Sequence, residues 1–571
     1  MAEPGNAAPT DASMPEAEEA EEFDYVIIGG GSAGCVLASR LSEDEDVRVC
    51  LLEAGGRGNN MLVNMPLGAG RLMGGTICNW AYETEGQPWL HNRCLFWPRG
   101  KALGGSSAIN GMVYIRGHAR DYDHWRQLGL AGWSYADVLP YFRKAECNEN
   151  GASPFHGGGG FLSVSNPKSG LSVFEDFVRA GEAMGWPRTP DFNGAQQEGA
   201  GFYQLTIRDG VRASAARAYL QPAEARRNLD VRVKCLVHRI EFADKRASAV
   251  AYERGGRMRR VRARREIVLC GGAVNSPQIL LLSGVGPAAY LRGFDIPVVK
   301  NLPGVGQNLQ DHLDVIAQTE MREPITLDAR RTPLGQLMVG ARYALLRSGL
   351  GRIQGLESGA FVKTDAALDI PDIQLHLVAA LVRDHTRVQL PHNGLSLHVC
   401  QLRPESRGLV GLKSPAPEEH ALIQPNYLSA PRDLQVLRDG LKLARAVLHK
   451  PPLAEQTVRE LWPGEEVQSD AELDEFIRRT AETIYHPVGT CKMGNDRMAV
   501  LDEHARVHGL EGLRVIDASA MPSLVGGNTN AGVIMMAEKL ADHMRGLPFR
   551  APEHVRITED GEPRRAARRA S

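Results

Sequence analysis

Residues 23–34 read FDYVIIGGGSAG: an apolar run, Tyr25 to Ile28, passes without a break into Gly29-x-Gly31-x-x-Gly34. CVLASRLSE follows with helical spacing, and a second apolar run, VRVCLLE, ends in Glu53, 24 positions after Gly29. Strand, glycine turn, helix, strand and carboxylate in this order make a βαβ dinucleotide-binding unit. Gly29, Gly31 and Gly34 permit a tight turn and let a pyrophosphate approach the backbone. Ser32 and Ala33 open the helix, where unpaired N–H groups and the helix dipole favour negative charge. Glu53 is placed to accept hydrogen bonds from both ribose hydroxyls. The motif alone does not separate NAD from FAD.

Outside this unit, the 571 residues suffice for two or more domains. A net charge of −2 with 43% hydrophobic and 23% charged residues gives no reason to expect nucleic acid as a partner. Nine cysteines are scattered singly, which suits packed thiols in a reducing compartment, so a cytoplasmic location is expected. Residues 1–22 carry seven acidic side chains and no Lys or Arg, unlike a secretory signal, and read as a disordered acidic tail. GEPRRAARRAS ends the chain as a basic counterpart, a solvated tail whose charge also suits a peripheral contact with the inner membrane. No run approaches the 18 apolar residues of a membrane span.

Five more segments stand out. Residues 99–114 read RGKALGGSSAINGMVY, and 302–312 read LPGVGQNLQDH. Residues 266–286, EIVLCGGAVNSPQILLLSGVG, read as a buried strand, a glycine turn and a helix capped by Ser276 with Pro277 at its first position. LRVIDASAMPSLVGGNTNAGVIMMAEKLADHM, near the end, reads as strand, loop and apolar helix, and HPVGTCKMG precedes it at 486–494. Together these motifs, in this order from about Phe23 to Arg545, resemble the glucose–methanol–choline (GMC) family of FAD-dependent oxidoreductases. WPRGKALGGSSAINGMVYIRGHARDYD is most similar to its choline-dehydrogenase and acceptor-linked alcohol-dehydrogenase branch.

The resemblance implies FAD and an α/β fold, α+β overall. A Rossmann-like FAD-binding domain (23–150, 212–312 and 478–548) would be interleaved with a substrate-binding domain (151–211 and 313–477) built on an antiparallel sheet with helices. Residues 549–571 would form the basic tail. Carried over by motif, Arg99, Gly104, Gly105, Ser106, Asn110 and Gly111 would wrap the flavin side of FAD. Val237 would meet adenine, and Asp517 and Ala518 would sit by the pyrophosphate and ribitol. Relatives that tether the flavin do so through a histidine where this chain has Phe96-Trp97-Pro98, so FAD is expected to be bound non-covalently.

In the family the HP-x-GT histidine faces flavin N5, a place that His486 fits. Asn528, 14 positions before Asp542, stands where the family carries its His or Asn partner, with Asn530 as a flavin neighbour. The chemistry suits the pair. A histidine can take the hydroxyl proton near neutral pH, and an asparagine can donate to the forming alkoxide. The apolar helix after Asn528 would point its positive end at the ring. A zinc reading of His486 with Cys491 lacks further paired ligands, and no metal is expected.

Choline-handling members carry a glutamate just after QDH, where this chain has Asp314; Tyr485 offers an aromatic wall to a cation or an apolar alcohol. The shorter carboxylate shifts the expectation towards non-choline primary alcohols, with choline second. The expected activity is oxidation of a primary alcohol to an aldehyde, with electrons passed to a quinone-type acceptor. An oxygen-using oxidase and a flavin-bound hydroxynitrile lyase are the alternatives; His486 argues against a photodecarboxylase.

Overall fold

The computed structural model describes residues 21–330, 332–388 and 390–558. Of the two expected tails, residues 1–20 and 559–571 therefore lie outside the described residues. Both tail boundaries move outward. Glu21 and Glu22 already belong to the first strand, paired with Val261 and Arg262, and Glu21 forms an ion pair with Arg232. At the other end residues 549–558 pack on the body: the N–H groups of Arg550, Glu553 and Thr558 donate to Tyr141 Oη, Ala136 O and Ala195 O at 2.9, 2.9 and 2.7 Å.

Leu229–Val233, Val49–Glu53, Glu21–Ile28, the second half of Arg257–Leu269 and Leu513–Val515 lie side by side as parallel strands. Parallel strands covered on both faces read as unbroken apolar runs, and Tyr25–Ile28 and Val49–Glu53 are buried throughout. Arg257–Leu269 is long enough to leave this layer. Its first half pairs antiparallel with Arg246–Arg254, which in turn pairs with Leu236–Ala243. Helix Asn530–Met544 packs against both Ser32–Leu41 and Tyr135–Ala145.

A second sheet is wholly antiparallel, in the order Thr457–Trp462, Leu313–Met321, Gly394–Gln401, Ile373–Val378, Leu356–Val362, Gly199–Phe202. Helices Pro431–Leu448 and Ser172–Ala183 pack on it, enclosing a core that includes Leu375, Leu397, Val399, Leu437 and Leu441. All nine cysteines are free thiols, six of them buried.

The two sheets are joined by a pair of crossing segments. Glu482 and Thr483 pair with Asp314 and Leu313; the Ile484 N–H donates to the His312 carbonyl, and Gln310 and Val488 exchange both backbone hydrogen bonds. Further on, the Gly489 and Cys491 N–H groups donate to Ala518 and Ser519, just beyond strand Leu513–Val515. One stretch, 482–491, thus runs from the edge of the second sheet to the end of the first.

The helix expected to begin at Pro277 in fact runs from Gly272 to Leu282, with Pro277 inside it. Proline leaves the carbonyl four residues earlier without its donor. That carbonyl belongs to Ala273, and Thr490 Oγ1 supplies the missing bond at 2.7 Å. Ser276 Oγ does hold the helix start, accepting from the Gly271 N–H at 3.0 Å and donating to Asp517 at 2.6 Å.

Candidate active site

The glycine loop ends strand Glu21–Ile28 and opens helix Ser32–Leu41, whose N-cap is Gly31. Gly29 has φ +100°, and a Cβ there would stand 2.5 Å from the Cys270 carbonyl oxygen. At Gly34 a Cβ would strike the Gly29 carbonyl at 1.9 Å. The second turn packs directly on the first: the Gly104 N–H donates to Gly30 O at 2.7 Å, and a Cβ on Gly105 would lie 2.7 Å from Gly31 Cα. An elongated cavity opens over this cradle. Gly29, Gly31, Ser32, Ala33 and Glu53 line it from the first motif; Arg99, Gly105, Ser106, Asn110 and Gly111 line it from the second. Val237, Asp517, Ala518 and Asn530 complete the wall. Gly34 and Gly104 do not line the cavity, contrary to the sequence reading; each lets one stretch of backbone touch another.

Glu53 is buried, and its two oxygens accept the N–H groups of Gly30 (2.8 Å) and Gly55 (2.7 Å). A carboxylate has about four acceptor directions, so two remain for ribose hydroxyls. Asp517 takes the Gly272 N–H at 2.8 Å besides the Ser276 and Ser519 hydroxyls, and so fixes the cavity wall at the end of the last parallel strand. Asn530, the first residue of its helix, accepts from Ser32 Oγ at 2.7 Å. These residues fit a dinucleotide: a backbone cradle with no room for side chains, a helix N-terminus and a buried carboxylate.

Tyr485 and Pro487 also line this cavity, and between them in the chain stands His486. Its backbone N–H donates to Asp311 Oδ1 at 2.8 Å, and Asp311 Oδ2 accepts from Thr483 Oγ1 at 2.6 Å and from the Tyr427 hydroxyl. Tyr485, just before it, has φ +75°, a strained value for an aromatic residue, and its carbonyl is held by Arg99 Nη2 at 2.8 Å.

The ring of His486 belongs to a chain of hydrogen bonds whose direction can be read from one end. His312 Nε2 lies 3.0 Å from the Leu402 carbonyl, which can only accept, so Nε2 carries the hydrogen. Burial lowers the His312 pKa to about 3, leaving a neutral ring with a bare Nδ1. His486 Nδ1, 2.9 Å away, must therefore donate. Burial first, then His312, His376 and Arg99, hold the His486 pKa well below that of free imidazole, so its Nε2 is bare as well. Asn528 Nδ2 donates to that nitrogen at 3.1 Å, and Asn528 Oδ1 accepts from Gln374 Nε2 at 3.3 Å. The fold thus fixes a neutral imidazole with its lone pair on Nε2, beside an amide donor.

Cys400, not Cys491, joins this cluster, its sulfur within 4.8 Å of both imidazoles. Burial keeps its thiol protonated, and hydrogen bonds occupy both ring nitrogens of His486.

A second cavity, of about 440 Å³, abuts the first and shares Asn110, Gly111, Tyr485 and Asn530 with it. Asn528 lines it, as do Asp314, His376, His398 and Glu482. Asp314 is buried; its Oδ2 lies 2.5 Å from His398 Nδ1, and its Oδ1 has no partner. Burial raises the Asp314 pKa against the pull of His398, and burial of the His398 cation is outweighed by Asp314, which raises the His398 pKa. At neutral pH the pair holds one proton and no net charge. Tyr485 Oη is hydrogen-bonded to His385 Nδ1 at 2.6 Å, in a ring held neutral by burial with a pKa near 4. Tyr485 is the one Phe, Tyr or Trp in this wall among the described residues; Met65, Met112, Ile316, Leu356 and Val378 supply much of the rest.

Comparison with known proteins agrees with this geometry. Family models described as GMC oxidoreductase match residues 23–314 and 404–537. The chain belongs to the GMC oxidoreductases. It is 48% identical over 533 residues to the oxygen-dependent choline dehydrogenase of Pseudomonas aeruginosa, covering 92% of this chain and 95% of that one. With the human mitochondrial choline dehydrogenase it shares 46% over 540 residues, 93% and 91% of the two chains. The crystal structure of pyridoxine 4-oxidase from Mesorbium loti matches with a TM-score of 0.84 at 34% identity, over 92% of this chain and all of that one. Formate oxidase matches with a TM-score of 0.87 at 26% identity, over 93% and 99%. As a GMC oxidoreductase the chain is an FAD-dependent enzyme acting on CH–OH donors. The sequence reading quoted the QDH motif of this GMC chain but gave His312 no role, and it passed over Gln374, His376 and His398. These four lie on or beside strands of the second sheet, where strand pairing and not sequence spacing brings them to His486.

Proposed function

We propose that this chain oxidises a primary alcohol to the aldehyde, with His486 Nε2 as the base and Asn528 as the donor to the developing alkoxide. The observation that supports this most directly is the hydrogen-bond chain from the Leu402 carbonyl through His312 to His486, which leaves Nε2 without a hydrogen beside Asn528, a residue of the second cavity's wall. FAD, bound non-covalently along the glycine cradle, supplies the hydride acceptor that no side chain can be. The residues named above for it come from 23–150, 212–312 and 478–548, and the alcohol cavity adds residues of 313–477. His486 receives the hydroxyl proton on Nε2. Asn528, tethered by Gln374, donates to the oxygen as its charge develops, in a site where buried dipoles act strongly.

Choline is the first substrate reading. Named relatives support it, and Asp314 keeps a buried carboxylate oxygen without a partner in the cavity wall. An uncharged aliphatic or aromatic alcohol is the second reading, favoured by the neutral Asp314–His398 pair and the aliphatic walls. The electron acceptor is read as a quinone; the words "oxygen-dependent" in the bacterial relatives' names support oxygen as the alternative. Anaerobic addition of choline and of uncharged alcohols to the purified flavoprotein, followed by its visible spectrum, tests the proposal. Bleaching by choline, weakened in D314N while uncharged alcohols keep their rate, establishes the first reading. Bleaching by uncharged alcohols alone establishes the second. If none bleaches the band, the oxidation reading falls in favour of lyase chemistry. Reoxidation by a quinone or by air then identifies the acceptor.

A further inference from the structure

Helix Pro333–Leu346 reverses the usual order of a surface helix. Thr332 caps it, its side chain accepting from the Gly335 N–H at 3.1 Å, and its one buried residue is Tyr343. The Tyr343 hydroxyl meets the carbonyls of Asn64 and Gly210 at 3.0 and 3.2 Å. On that inward side Gln336, Val339 and Gly340 form part of the wall of the alcohol cavity. The outward side carries Leu334, Leu337, Met338, Ala341 and Leu345, spaced i, i+3, i+4, i+7 and i+11 along a single face. Leu334, Leu337, Met338, Leu345 and the neighbouring Leu346 are 66, 68, 60, 82 and 70% exposed. A contiguous apolar face of this kind on a water-exposed helix marks a docking surface.

Charge says what it docks to. Between Asp328 and Glu357 the sequence carries five arginines and no acidic residue, in a chain whose net charge is −2. Arg342, Arg347 and Arg352 are exposed and fringe the apolar face; among the described residues none of the three is paired with a carboxylate. Leucines on one side with arginines at the edge suit the headgroup boundary of an anionic bilayer, where apolar side chains insert and cations meet phosphates. We infer that this helix docks the enzyme on an anionic phospholipid surface, setting one wall of the alcohol cavity against the membrane. The inference rests on the exposed face and its charge, and holds whichever alcohol or acceptor the enzyme uses.

Co-sedimentation of the full-length holoenzyme with phosphatidylglycerol-containing vesicles and with phosphatidylcholine vesicles tests it. Binding is expected to the former, and to weaken with added salt. L337D/L345D should lower the partition coefficient at least about tenfold, since two leucines leave the apolar layer. R342E/R347E should remove the preference for the anionic vesicles. Both variants alter exposed positions, so flavin absorbance and the thermal midpoint report that the fold is kept. Vesicle binding unchanged in L337D/L345D would assign binding elsewhere, for example to the basic tail, and overturn the inference. Absence of binding to any vesicle would also overturn it, as would self-association in sedimentation velocity that L337D/L345D abolishes while vesicles bind nothing, since the face would then belong to a second copy of the chain.

Discussion

His312 decides which nitrogen of His486 is free to act as a base. In His312→Leu, His486 Nδ1 loses the acceptor it meets at 2.9 Å, and nothing ties the hydrogen to Nδ1 any longer. The tautomer with hydrogen on Nε2, which cannot take a proton there, becomes populated. A buried donor left without its partner costs about 1–3 kcal/mol. At 1.4 kcal/mol per tenfold this corresponds to roughly a five- to hundred-fold slower transfer from the alcohol. Stopped-flow reduction under anaerobic conditions isolates that step, and flavin absorbance per protein shows that the cofactor is retained. His312→Gln is the control, because its amide oxygen can accept from His486 while its NH2 group reaches towards the Leu402 carbonyl. It should recover part of the loss. A His312→Leu enzyme with full flavin content and a reduction rate within twofold of the parent would refute the tautomer argument.

Three further outcomes are expected. Asn528→Ala removes the side-chain donor that meets His486 Nε2 and should slow anaerobic reduction about 100- to 1000-fold, the usual loss for one oxyanion donor; a loss under fivefold contradicts that role. Gly105→Ala puts a Cβ 2.7 Å from Gly31 Cα at a residue with φ +52°, and should give protein that keeps its circular dichroism but binds little FAD, as read from the ratio of flavin to protein absorbance. Burial pushes the Glu482 pKa from 4.5 up to about 7, so the folded state keeps a proton that the unfolded state has lost, and stability falls as pH rises through that window. Glu482→Gln lacks this slope: its thermal midpoint should match the parent near pH 4.5 and exceed it at pH 8, by at most about 3 kcal/mol in stability, and parallel curves would refute the assignment.

What could be read from the sequence was what neighbouring residues impose on one another. Gly29 and Gly31 are needed because the backbone turns within six residues, and the strand, helix and carboxylate around them lie within thirty. Asn528 could be placed by counting back along one helix, and the structure puts its amide on His486. The pairing of 482–483 with 313–314, which carries His312 to His486 and Asp314 into the cavity wall, is a register between segments about 170 positions apart. Such a register leaves no periodic trace in either segment. Pro277 misled for the opposite reason: Ser-Pro is a strong local start signal, but Thr490, far along the chain, supplies the bond that lets the helix begin earlier.

The burial of His486 at first looks unfavourable for a base, since it lowers the affinity of Nε2 for the proton it must take. It has a compensating effect. A ring held well below its ordinary pKa is neutral at any pH where the fold is comfortable, so the lone pair on Nε2 is always available and no acid limb from His486 is expected in kcat/KM above pH 6.5. The same burial makes an imidazolium costly unless negative charge lies beside it. The proton is therefore accepted most easily when the substrate's electrons are moving, and the surroundings are arranged for that moment. In the proposed reaction Asn528 donates to the oxygen, the Asp314–His398 pair adds no net charge, and the N-terminal residue of Asn530–Met544 stands in the shared wall of the two cavities. In the proposed reaction proton removal and hydride departure are coupled, because neither charge is stable alone in so buried a site. Deuterium substitution at the hydroxyl and at the carbinol carbon measures that coupling: multiplicative isotope effects on flavin reduction are expected, and an effect from carbon alone would mean that the proton leaves beforehand.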